Sequence, residues 1–206
     1  MTDASHTAPD DIAYVRRLAE SGAMAPLVGG RFMAWWGLLI VIGWTAQHLA
    51  LNGAIGDGGA IYGIIWGSFA IAGLLGQLLL ARTMPGKPGA GSAGNRASRI
   101  VWSAGAMAIL SMVVGVAFLA QRTGYGVFDW IVPVAFAVYA CALIVTGALA
   151  GERIATVAGY GAVLMVGLFT AFMLDPNRYL IAAAGAAATV LLPGVLLTLR
   201  EPKARD

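Results

Sequence analysis

A chain of 206 residues with 59% hydrophobic residues, 11% charged residues and a mean hydropathy of +0.79 is not a soluble domain, which carries roughly 25% charged residues. The net charge of +3 comes from basic residues dispersed at segment ends rather than gathered in one patch, which excludes a nucleic-acid partner. One cysteine, Cys141, cannot form an internal disulfide, and within an apolar block it behaves as a small hydrophobe.

Residues 1–30 form a polar leading segment. Asp10 and Asp11 favour a helix start, Arg16 and Arg17 follow, and Gly22 is a stop. Between them Ile12, Val15 and Leu18 fall on one face with Ala19. A helix of about three turns is marginal in water, so this stripe needs a surface to rest on. The membrane interface would want a broader apolar face with basic flanks, yet Asp10, Asp11 and Glu20 offset Arg16 and Arg17. The inner loops are small and glycine-rich. By elimination Ile12, Val15 and Leu18 are expected to dock a cytoplasmic or membrane protein partner. The segment shows no short apolar region with a small-residue cleavage site, so the first apolar block is expected to remain as an anchor.

Six apolar blocks follow, over residues 32–51, 60–81, 100–120, 130–150, 154–174 and 179–199, within a membrane domain of 31–200. None contains Asp, Glu, Lys or Arg, and His48 is the sole ionisable imidazole among them. At about 1.5 Å per residue each block spans a hydrocarbon core of about 30 Å. Blocks apolar on every face have no place in a water-soluble bundle of this size. They run twice the length of a barrel strand, and only intrahelical bonding satisfies such backbones in lipid. The expected fold is therefore an all-α bundle of six transmembrane helices with a short N-terminal helix on the cytoplasmic side.

The basic residues set an orientation. Eleven lie on one side (Arg16, Arg17, Arg31, Arg82, Lys87, Arg96, Arg99, Arg153, Arg200, Lys203 and Arg205), against Arg122 and Arg178 on the other. This bias predicts both termini in the cytoplasm of a bacterial-type inner membrane, with 201–206 as a cytoplasmic tail. The outer connections are short, and 83–98 reads as a flexible linker built on Pro85-Gly86-Lys87-Pro88. Gly86-Lys87 is no phosphate loop, because Pro88 stands where Ser or Thr is required.

Odd-numbered helices start with an arginine and carry glycine six residues on: Arg31/Gly37, Arg99/Gly105, Arg153/Gly159. Even-numbered ones mirror this at their inner ends: Gly76/Arg82, Gly147/Arg153, Gly194/Arg200. Three hairpin repeats of about fifty residues would produce this spacing, which resembles that of the HdeD-type bacterial membrane proteins. The resemblance covers the glycine and arginine spacing alone and implies no functional residue.

The chemistry-bearing side chains are few. His48 has no second histidine in the membrane domain to complete a haem site, and no carboxylate, lysine or arginine enters a span to serve ion coupling or catalysis. No catalytic residue, cofactor or metal ligand is therefore assigned. Gly63/Gly67, Ser111/Gly115 and Gly167/Ala171 are small-residue pairs at helical spacing, and 182–188 is an unbroken Ala/Gly run; both features are expected to serve packing inside the bundle. Pro193 is expected to kink the last helix. The reading that emerges is a non-catalytic multi-pass protein in contact with membrane lipids, binding, assembling with or regulating a partner through its N-terminal helix. The alternative is a channel or facilitator for a small neutral solute, its path lined by Tyr139, Thr146, Thr156 and Tyr160.

Overall fold

The computed structural model describes residues 27–56, 58–83 and 91–201, and these are helical with no strand. Six helices are long and apolar enough to cross a membrane: α1 (Gly30–Leu51), α2 (Gly59–Ala81), α3 (Ala93–Thr123), α4 (Ile131–Ala150), α5 (Arg153–Ala171) and α6 (Arg178–Arg200). A short 3-10 turn, Phe128–Trp130, leads into α4. The chain is a multi-pass membrane protein by these features.

Local chemistry sets the helix ends. Helix α3 begins at Ala93, inside the stretch read from sequence as a linker, because the Ser92 hydroxyl caps it by accepting the Asn95 N–H at 3.2 Å. It ends where Gly124 takes a left-handed φ of 70° and returns its N–H to the Ala120 carbonyl. Gly151 does the same after α4, at φ 64°. Glu152 then caps α5 by accepting the Ile154 N–H at 3.3 Å. This tight corner folds α5 back along α4 in the most extensive helix contact of the bundle.

Helices α1, α4, α5 and α6 surround the core, while α2 leans on α1 and α3 on α4. Burial follows this order: 56% of the α4 span is buried, against 11% for α2 and 6% for α3. At the centre Phe136 and Phe169 are fully buried, with the Trp44 ring tilted against Phe136, centroids 5.4 Å apart. Ala162, Ala182 and Ala186 close around them without exposed surface. The outward faces carry Ile64, Leu74, Met107, Leu110 and Leu164, each more than half exposed, as lipid-facing surfaces require.

Lipid is as apolar as leucine, so helices gain little from hydrophobicity and rely on close approach. Glycines provide it. A methyl built on Gly194 of α6 would lie 2.4 Å from the Ala34 nitrogen of α1, and one on Gly37 would lie 2.7 Å from the Leu191 backbone. Gly147 and Gly159 bring α4 and α5 together in the same way, and the Trp35 and Trp36 rings lie on Gly76 and Gly73 of α2. The pairs singled out by spacing do not take part. Gly63, Gly67, Gly115 and Gly167 have nothing within 4 Å of an added methyl, and Ser111 and Ala171 are exposed. These pairs face outward, because each helix buries a different stripe. The Ala/Gly run does lie against neighbours: Gly185 faces Met165 and Phe136, and Ala182, Ala183 and Ala186 are buried.

Pro193 acts differently from a simple kink. Residues Ala187–Leu191 widen into a π turn, with the Leu192 N–H reaching back to the Ala187 carbonyl. Proline offers no N–H and its ring crowds the carbonyl four residues earlier, so a wider turn relieves that collision before α-helix resumes over Leu192–Arg200.

Candidate functional site at the arginine-rich end

One end of the bundle gathers the starts of α1, α3 and α5 with the ends of α2 and α6, and carries Arg31, Arg82, Arg96, Arg99, Arg153 and Arg200. The opposite end carries Arg122 and Arg178. The chain enters α1 through a polar junction at the arginine-rich end. The Val28 N–H donates to Asn95 Oδ1 of α3 at 3.0 Å, and the Gly29 N–H donates to Glu201 Oε1 at 3.0 Å. Arg31 donates from Nε to Glu201 Oε2 at 3.2 Å, with Nη2 at 3.1 Å from the same oxygen. Its Nη1 donates to the Thr83 hydroxyl at the end of α2, at 2.6 Å.

The Glu201 side chain is 1% exposed and that of Arg31 is 25% exposed. A carboxylate so deeply placed has to be paired, and here a guanidinium and a backbone N–H both serve it. Asn95, 4% exposed, is held in turn by its side-chain N–H donating to Ser92 Oγ at 3.1 Å. Helix α3 and the end of α6 thus hold the two residues that precede α1. The arrangement neutralises the acid rather than activating it, and its chemical capacity is to fix where the leading segment leaves the bundle. Nearby, Arg200 Nη1 lies 3.6 Å from Glu152 Oε1.

The other end has its own clamp. Asp129 Oδ1 accepts from the Tyr179 hydroxyl and from Arg178 Nε, the latter at 3.1 Å, and the Arg178 guanidinium lies 5.1 Å from the Tyr179 ring centre. This ties the start of α6 to the turn before α4.

The residues named from sequence fall in separate places. Ile12, Val15 and Leu18 lie outside the described residues. Tyr139 is half-buried between Phe136 and Trp102, and Thr146, buried, donates to Ser98 Oγ of α3 at 3.3 Å. Thr156 donates to its own helix at the Glu152 carbonyl, 3.2 Å away. Tyr160 is 59% exposed on the outer face of α5. Tyr139 and Thr146 thus face α3, Thr156 faces the α4–α5 seam, and Tyr160 faces outward. Several other polar groups in the spans are used locally, whereas the buried Trp35 Nε1 has no hydrogen-bond partner among the described residues. Trp66 and Trp36 donate to Gln47 and Gln77 at 2.9 Å each, and the Ser68, Ser103, Thr170 and Thr189 hydroxyls bond carbonyls of their own helices. His48 lies against Asn52, 3.4 Å from its amide nitrogen. Among the described residues no three His, Cys, Asp or Glu side chains converge on a metal position.

Sequence reasoning passed over Asn95, Thr83 and Glu201. A signal for the last was available: Glu152 and Glu201 are the acids flanking spans at the arginine-rich end, and an acid among many arginines is a candidate for pairing. Compared with known proteins, the chain matches no protein-family model, no curated protein and no solved structure.

Proposed function

We propose that this protein is a non-catalytic, multi-pass membrane protein that binds, assembles with or regulates a protein partner through the Ile12–Val15–Leu18 stripe of its leading segment. On this reading the arginine-rich end faces the cytoplasm of a bacterial-type inner membrane, as the bias of basic residues favours. The observation that supports it is the junction. Val28 and Gly29 are hydrogen-bonded to Asn95 and Glu201, so a partner held by the leading segment would be anchored against α1, α3 and α6. The polar residues offered for a solute path face three different directions, which lends the facilitator reading no support.

Deletion of residues 2–25 tests the proposal, since it spares the junction. The shortened protein should insert and melt like the full chain in mild detergent while losing one specific co-purifying protein. Loss of the fold, or retention of every co-purifying protein, would refute docking through this segment.

A further inference from the structure

A groove of about 320 Å³ opens on the lipid-facing side between α5 and α6, next to the π turn. Its walls are apolar, from Val157 and Ala158 on one side to Ala188, Leu192 and Pro193 on the other, and its one charged lining residue is Arg153. The π turn and proline shape it, with small alanines facing from both helices where larger side chains would fill the space. That volume sits at the small end of ligand sites, about 300–1,000 Å³.

The occupant has to be apolar along most of its length and anionic at one end. Arg153 is the first residue of α5 and exposed, so its guanidinium stands at the membrane boundary. The nearby carboxylates are already engaged, Glu152 by Arg200 and the Ile154 N–H, and Glu201 by Arg31 and the Gly29 N–H. No described side chain pairs with Arg153. A guanidinium matches a phosphate with two parallel hydrogen bonds.

We infer that this groove is a binding site for an anionic phospholipid, with one acyl chain against Val157, Ala158, Ala188 and Leu192 and the phosphate on Arg153. A lipid held this way differs from the surrounding bilayer by its charge preference. One basic residue near the surface corresponds to about a fivefold preference for an anionic over a zwitterionic headgroup.

Native mass spectrometry of the full chain in mild detergent reads this directly, with phosphatidylglycerol or phosphatidylcholine added at equal concentration. The first bound lipid should favour phosphatidylglycerol about fivefold. Arg153→Gln should abolish the preference, whereas Arg82→Gln, an exposed arginine away from the groove, should retain it. Ala188→Phe fills the groove and should remove the first adduct of either lipid. Melting temperatures of all three variants equal to the wild type establish that binding, not folding, has changed. Equal binding of the two lipids, a preference surviving Arg153→Gln, or an adduct surviving Ala188→Phe would overturn the assignment. So would displacement of the lipid by soluble glycerol phosphate, which would show that the headgroup binds without the chain. A dimer that disappears with Ala188→Phe would overturn it too, by assigning the groove to a second copy.

Discussion

Gly194→Ala should be among the most damaging single-methyl changes in the bundle. The added carbon would sit 2.4 Å from the Ala34 nitrogen and 2.8 Å from the Ala34 Cα and the Met33 carbonyl carbon, where ordinary contact begins at 3.4 Å. Every one of these neighbours is backbone, so none can rotate aside. Helices α1 and α6 would have to part by about 1 Å, and a gap of that size forfeits a quarter to a half of each dispersion contact along the seam. The same seam includes Gly30 against Thr198 and Gly37 against Leu191, so the loss is shared by three close approaches. Overpacking costs about 1–3 kcal/mol, and rigid neighbours place this case near the upper value. For a chain of this size that corresponds to a fall in melting temperature of about 6–12 °C in mild detergent. Gly185→Ala should cost about 1 kcal/mol, because the nearest group in the way is the mobile end of Met165, with the Phe136 ring at 3.0 Å. Gly67→Ala meets open space and should be neutral or slightly stabilising through helix propensity. An unchanged melting temperature for Gly194→Ala, or equal losses for Gly194→Ala and Gly67→Ala, would refute the packing scheme.

Other outcomes follow from the two ends. Tyr179→Phe removes a hydrogen bond to the Asp129 carboxylate and should cost about 1.5 kcal/mol in a melting experiment; Asp129→Ala should cost more, since it strands Arg178 as well. In a Cys141→Ala background, an impermeant thiol reagent on intact cells should label Asn52→Cys and spare Gly91→Cys; labelling of position 91 alone would invert the orientation. His48→Ala should leave yield and visible absorbance unchanged, and a Soret band lost with this substitution would make His48 a haem ligand.

The helices were legible in sequence because apolar blocks without charge have one stable form in lipid. The start of α3 was not, since a Gly/Ala/Ser tract reads as a linker until the Ser92 cap and the Asn95–Val28 bond supply a reason for helix. Packing glycines were legible in an unexpected way. The six in the membrane domain that stand six residues from an arginine, among them Gly37, Gly105 and Gly159, all meet a neighbour within 3 Å, whereas the glycines of the small-residue pairs meet nothing. Their partners differ, though: Gly37 meets α6, while Gly105 and Gly159 both meet α4. Glycine spacing therefore marked where helices approach without revealing which pairs do. The junction was out of reach because its members, Gly29, Asn95 and Glu201, are up to 172 residues apart.

The central claim, that the leading segment holds a partner, is tested most directly by a photocrosslinking residue at Val15 in native membranes. The account predicts one crosslinked product with a second polypeptide, absent when Ile12→Asp is introduced beside it. Crosslinks confined to lipid or to this chain's own helices would contradict it.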